Sequence, residues 1–373
     1  MAAAAAQARA GVWQCRQPSR CVAAVHGAEP GADSGRHRFL VGTCALQQKN
    51  EIHLVEVEFT EESAEVSCRQ SFPHEDEVWL ISPSPTDPRH VLTCGLSSAS
   101  GKSSAALRLF SMGDGPEASL QELASLADEE TSLGTVKSAL WDPHQEGNVV
   151  VADAEALHVF QGAGNGSGGR LTRHLTLQVG QRCNGACLDP HHRQQVSTVD
   201  DGHLKTWDLR TSRMAFRKDN AHLFAAKDVD YNPNVPYQVL TTGEDSALRF
   251  WDLRQLSTCM RSLTGGHHHW VSRARFNGHH DQLVLSCGTD SMVCLWRAGS
   301  VASAPLGSEP TGTEDGGGNR PPDGLVKRYE EHEDSCYSCC WSASDAWVFA
   351  SISFDGKLVV NRVPGEEKYR ILL

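Results

Sequence analysis

Three stretches of this chain share one layout: "STVDDGHLKTWDLR" at 197–210, "TTGEDSALRFWDLR" at 241–254 and "SCGTDSMVCLWR" at 286–297. Each reads as an alternating run entering a tight turn, then a second run that closes on tryptophan. Taken from the turn aspartate, Asp201, Asp245 and Asp290 each stand six residues before Trp207, Trp251 and Trp296. Successive units are 44 to 45 residues apart. That is room for four short strands, and a unit of this kind buries its apolar face only by stacking on copies of itself.

Weaker copies follow the same phase. The tryptophan slot falls on Glu56, Phe110, Phe160, Trp207, Trp251, Trp296 and Asn361, which makes seven units. A second series agrees: His74, His222, His267 and His332 lie eleven residues before Pro85, Pro233, Gly278 and Ala343, with alternating segments such as "EVWLISPSP" and "KDVDYNP" between. The expectation is an all-β, seven-bladed β-propeller over 37–373, preceded by a variable, partly flexible segment at 1–36. The Gly/Pro/Ser-rich stretch at 299–325 reads as a disordered insertion. The polar run at 97–104 and the glycine-rich run at 161–169 lengthen other connections. The acidic connection at 112–134 is expected to hold an outer strand around Leu120–Leu126. "KYRILL" is expected as the outer strand of the seventh blade and "WQCRQPSRCVAAV" as the inner strand of the first, a closure without overlap of the chain ends.

A net charge of -12 and a pI near 5.8 oppose general binding to phosphate backbones or anionic lipid, so neither a nucleic-acid partner nor membrane insertion is expected. No run of about 18 apolar residues occurs, and the start lacks the apolar core of a signal peptide. The 13 cysteines are odd in number and several fall in strands, which suits reduced, buried thiols. The sequon at Asn165 is incidental without secretion. Five histidines in "GGHHHWVSRARFNGHH" lack a matching ligand set for zinc. Cys336 and Cys339, three apart on a strand, point to opposite faces. No phosphate-cradling glycine loop precedes a helix. No cofactor, metal or catalytic set is expected.

These units resemble WD40 repeats, across roughly 37–373. In that family a buried set of side chains ties each blade together. The matching positions are His222, Thr241, Asp245 and Trp251 in the fifth blade, and His267, Ser286, Asp290 and Trp296 in the sixth. The seventh keeps His332, Ser351 and Asp355. The fourth has Ser197, Asp201 and Trp207 but Val179 at the histidine position. Aspartate accepts from histidine, histidine from the hydroxyl, and the hydroxyl from the indole N–H, so each buried donor is matched. A catalytic triad would occur once; these groups recur blade by blade.

The ends of the chain go beyond the generic repeat. "HRFLVGTCALQQKNEIHLVEVEF", "SPSPTDPRHVLTC", "DNAH", "HWV" with "HDQL", and the terminal "VNRVP" resemble the family of propellers that interact with the endosome-associated recycling (EARP) and Golgi-associated retrograde (GARP) tethering complexes. The resemblance implies a non-enzymatic adaptor, monomeric by itself, which is cytoplasmic and reaches the trans-Golgi network and recycling endosomes through its partners. Its roles would be endocytic recycling, retrograde transport and dense-core vesicle cargo sorting. Expected contact positions on the rim are Trp270, Glu77 and Ser335. The alternative is a substrate receptor of a cullin-4 ubiquitin ligase, suggested by the paired "WDLR" boxes, with Arg210 and Arg254 facing the ligase adaptor.

Overall fold

The computed structural model describes residues 10–25, 35–46, 48–60, 63–97, 104–113, 115, 119–126, 133–162, 171–304 and 322–373. The sequon at Asn165 lies outside these residues, as do most of the 97–104 and 161–169 runs and residues 305–321 of the expected insertion. Parts of the acidic connection and of the 1–36 segment also lie outside.

Among the described residues there are seven antiparallel sheets of four strands, six of them built from consecutive strands. In the first, Ser19–Val25 (β2) is innermost, followed by Arg36–Thr43 (β3), Asn50–Phe59 (β4) and Ala64–His74 (β5). The fifth is typical: Ala226–Tyr231, Gln238–Gly243, Leu248–Asp252 and Arg261–Leu263. Second strands such as Leu283–Gly288 are buried throughout, because a neighbouring blade covers each face. Outer strands such as Arg213–Lys218 are largely exposed. Apolar clusters join successive blades, for example Leu240 and Phe250 of the fifth against Phe276 and Trp296 of the sixth. The acidic connection does carry its strand, Leu120–Leu126, on the outer edge of the second blade.

The ring closes differently from the sequence expectation. Gly11–Gln14 (β1) is the outer strand of the seventh blade, pairing Gly11 with Val360 and Gln14 with Lys357. Only Ser19–Val25 of "WQCRQPSRCVAAV" enters the first blade. The propeller therefore reaches back into the 1–36 segment, and one blade is built from both parts of the chain. "KYRILL" instead belongs to a helix, Gly365–Leu372 (α1). Pro364 fixes the backbone at its start, and Glu366 and Glu367 sit in its first turn, where the helix dipole favours acids. Glu367 is buried against Arg297 and Arg370, which pins the helix to the sixth blade.

Two slots shift by one residue. In the second, third, fourth and sixth blades the pairing of third and fourth strands jumps just before Phe110, Phe160, Trp207 and Trp296. In the first blade the jump falls before Val55. Val55, fully buried, thus holds the slot. Glu56 points to the other face, a consequence of the two-residue strand period, and there takes Arg38 and Arg69. In the fourth blade the hairpin is a residue tighter than in the fifth. Thr198 faces Lys205 as Thr241 faces Arg249, and the chain turns at Asp201 and Gly202, whose φ of 89° suits glycine. Asp200, not Asp201, is therefore the buried acid, and Trp207 donates to Thr198 at 2.9 Å. Asp201 is exposed, 3.7 Å from Arg182.

Candidate functional site: the top face and the channel mouth

Each blade's middle hairpin and its connection to the next blade emerge at the same end of the ring. This end, the top face, is fixed from below by the buried side-chain sets. In the fifth blade His222 Nδ1 donates to Asp245 Oδ1 at 2.8 Å, Nε2 accepts from Thr241 Oγ1 at 2.8 Å, and Trp251 Nε1 donates to Thr241 Oγ1 at 2.9 Å. In the sixth, His267 meets Asp290 at 3.1 Å and Ser286 at 2.8 Å, and Trp296 donates to Ser286 at 2.7 Å. Asp245 also accepts from the backbone N–H of Leu223 and pairs with Arg249, and Asp290 accepts from that of His268. The acids thereby tie the inter-blade connection to the hairpin. Burial holds the His222 imidazole below its ordinary range, which keeps it neutral, while the hydrogen bond from His222, the backbone N–H of Leu223 and the Arg249 charge hold the Asp245 carboxyl low despite its own burial.

Other blades reach the same end with different residues. In the fourth, Lys205 reaches Asp200 and the Val179 carbonyl, filling the space left by the missing histidine. In the third, His158 meets Asp153 at 3.0 Å. In the second, His74 takes Thr93 at 3.1 Å, with Phe110 packed edge-on at 5.3 Å where a tryptophan would stand. In the seventh, His332 contacts Ser351 and Ser353, and Ser353 passes the link to Asp355 at 2.6 Å. Asn361 occupies the slot with its Nδ2 buried and unpartnered.

At the centre of the top face lies a cavity of about 440 Å³. Its wall is built by a repeated device. In five inner strands the pairing skips one residue, and these bulges fall on Arg20, Lys137, Lys227, Ser272 and Tyr337. A bulge re-aims its side chain, and all five line the cavity, joined by Trp79, Asn184, Trp270 and Arg273. Arg20 is sandwiched between Trp79 at 5.1 Å and Tyr337 at 4.6 Å. Lys227 lies 4.6 Å over Trp270 and pairs with Glu244. Half-burial, then the nearby Lys227, pushes the Lys137 ammonium below the usual lysine range, and Arg20 adds to the effect.

The expected contact positions divide. Trp270 is 41% exposed, lines the cavity, and stacks on His269 with ring centres 5.1 Å apart. Glu77 is buried, and its carboxylate accepts from Trp79 Nε1 at 2.9 Å, which orients that wall residue. Ser335 is half-buried, donating to the Thr289 carbonyl at 3.2 Å. Arg210 and Arg254 lie at the opposite end, where third and fourth strands join. Both are exposed, and each folds back on the aspartate two residues before it; Arg254 also stacks on Tyr237 at 5.1 Å.

The sequence reading missed Leu223 and Phe224, 80% and 62% exposed directly after the His222 connection, and Phe354 in the seventh hairpin. It also missed the charged ring. A signal existed: the fifth residue after each histidine of the eleven-residue series is Trp79, Lys227, Ser272 and Tyr337, and all four line the cavity.

Comparison with known proteins gives a family. The EIPR1 beta-propeller model matches residues 9–296, and the WD domain, G-beta repeat model matches residues 324–360. An EARP-interacting protein homolog from Gekko japonicus is 33% identical over 92% of this chain and 94% of its own length. EARP and GARP complex-interacting protein 1 from Rattus norvegicus is 33% identical, and that from Homo sapiens 32%, with the same coverage on both sides. The match begins at the strand that closes the ring and runs into the third strand of the sixth blade, and relatives align along nearly all of their length: this chain belongs to the EIPR1 beta-propeller family.

Proposed function

We propose that this propeller is a non-enzymatic adaptor that binds EARP and GARP tethering complexes, and so supports endocytic recycling, retrograde transport to the trans-Golgi network and dense-core vesicle cargo sorting. The observation that carries the reading is the identity of 32–33% along 92% of the chain with proteins named for interaction with those complexes. The geometry supports the adaptor class. The histidine–aspartate pairs hold hydroxyls and backbone inside blades, whereas the top face offers Leu223, Phe224, Trp270 and Phe354 on a rigid frame. Aromatic and large apolar side chains of this kind dominate binding hot spots. Among the described residues no helix is long and apolar enough to cross a membrane, and residence at the trans-Golgi network and recycling endosomes would follow from the partners.

Affinity purification of the full chain from cells under mild salt tests the reading. Recovery of tethering-complex subunits, lost on Trp270→Ala with an unchanged melting midpoint, is the expected result. Recovery of a cullin-4 ligase adaptor instead, lost on Arg210→Ala with Arg254→Ala, would replace it with the ligase-receptor reading, because those arginines stand exposed on the other face.

A further inference from the structure

The chain carries a net charge of -12, yet four cations, Arg20, Lys137, Lys227 and Arg273, converge on one cavity at the centre of the top face. Such a concentration opposes the overall field, and like charges brought together repel one another. Lys227 is offset by Glu244 at 2.6 Å, and Arg273 donates to the Ser338 hydroxyl at 2.9 Å. Arg20 has its aromatic neighbours, and neither Arg20 nor Lys137 has a carboxylate at ion-pair distance among the described residues. Three of the four cations sit on inner-strand bulges and the fourth next to one, so the ring follows from blade geometry, not from a mobile loop.

We propose that the channel mouth is a binding site for an extended acidic peptide segment of a protein partner, whose carboxylates pair with Arg20, Lys137, Lys227 and Arg273 and whose apolar side chain packs on Trp270. Two observations favour a peptide over a compact phosphate-rich anion. The cations are distributed around the ring and separated by Asn184, Ser272 and the aromatic walls, so they match charges spaced along a chain. Arg20 is pinned between Trp79 and Tyr337, and Lys227 lies over Trp270, so neither is free to close on a single point. The exposed Leu223 and Phe224 stand on the same face, in the connection that leads into the fifth blade's inner strand and Lys227. This inference rests on the adaptor reading, and names the chemistry that adaptor's top face recognises.

The test is fluorescence polarisation with the purified full chain and a short labelled synthetic peptide of glutamates interrupted by leucine and tryptophan. The same peptide with lysine for glutamate is the control. Only the acidic peptide should bind, and raising salt should weaken it. The double variant Lys137→Met with Lys227→Met should lose about tenfold or more in affinity, the size expected when close charge pairs at an interface are removed. Lys137→Arg should retain binding, and Arg210→Ala on the opposite face should change nothing. Melting midpoints of all variants are measured alongside. Failure of the acidic peptide to bind, equal binding of the lysine peptide, or full binding by the folded double variant would overturn the proposal. So would tight binding of inositol hexakisphosphate at the same residues with none of the peptide, which would assign the mouth to a small polyanion. Tether recovery from cells is a separate readout, so loss of the adaptor reading and loss of this site are told apart.

Discussion

Lys205 ion-pairs with Asp200 across the hairpin of the fourth blade, reaching the carboxylate from the position that Arg249 holds beside Asp245 in the fifth. The pair does in a blade without histidine what the histidine does elsewhere: it gives a buried acid a cationic or N–H partner and leaves a carbonyl satisfied. It also separates two neighbouring aspartates into one structural and one exposed residue.

That separation predicts opposite outcomes for adjacent substitutions. Asp200→Ala leaves Lys205 buried and unpaired and should cost about 2–3 kcal/mol, as loss of one partner of a buried charged hydrogen bond does. Asp201→Ala, at an exposed site, should stay within about 0.5 kcal/mol of the parent. Urea midpoints of the two variants decide the matter, and equal values would contradict a fourth hairpin that turns at Asp201 and buries Asp200.

Asn361 stands where other blades place tryptophan or phenylalanine, with its Nδ2 buried and unpartnered. Asn361→Leu, of similar shape, removes the unsatisfied donor and should raise stability by about 1 kcal/mol. A lower melting midpoint would show that the amide makes a bond this arrangement does not contain.

Stability should fall on mild acidification. Burial holds His332 at about 4, and also pushes His37, His53, His74 and His222 below the ordinary 6.5. As pH drops below that value the unfolded chain takes up protons while the folded chain does not, so the unfolded state gains; above it neither form binds them. The contribution is therefore fully present above the unfolded value and lost toward about 4 for His332. Denaturant midpoints should be flat from neutral pH upward and fall steadily toward about pH 5, less steeply in His332→Gln. A midpoint that rises on acidification would contradict the buried, neutral state of these rings.

Trp270→Ala should weaken association with tethering subunits by about 2 kcal/mol while leaving the melting midpoint near that of the parent. The tryptophan is partly exposed and stacked on His269, not enclosed between blades. Early melting would place its main contribution inside the fold.

Thiol reagents should separate the cysteines. Cys68 is exposed, whereas the buried Cys21, Cys94 and Cys183 are pushed up to about 12 by burial, where they hold almost no thiolate at neutral pH. Brief labelling of native protein followed by peptide mapping should mark Cys68 first, and the buried thiols should react only in denaturant. Early modification of Cys94 would mean that the second blade opens.

The repeat was legible because its signals are local. A tryptophan six residues after a turn aspartate, or a histidine eleven before an inner-strand end, marks a blade without knowledge of its neighbours. What escaped was whatever depends on a count of one. The slot fell on Glu56 where the bulge selects Val55, and on Asp201 where a tighter turn selects Asp200, because drifted copies offer two adjacent residues of plausible type. Closure escaped for another reason. "GVWQ" is four residues long, and its partner lies at Lys357–Val360, so no periodicity connects them. Trp79, Lys227, Ser272 and Tyr337 of the cavity wall stand at a constant offset from the histidines, but Arg20, Lys137 and Arg273 do not, and only assembly in a ring shows that Lys137 and Lys227 face the same space.

The seam at Gly11–Gln14 also sets an order of events. On a ribosome, Gly11–Gln14 has no partner until Lys357–Arg362 has been synthesised, on the order of tens of seconds later at usual elongation rates. Blades one to six can stack as they emerge, each on the last, while this segment waits beside them. The contact that closes the ring is thus between segments far apart in the chain, and until it forms the seventh blade offers an open β-edge to any neighbouring nascent chain. A factor that shields that edge would govern the yield of finished rings without touching the finished protein.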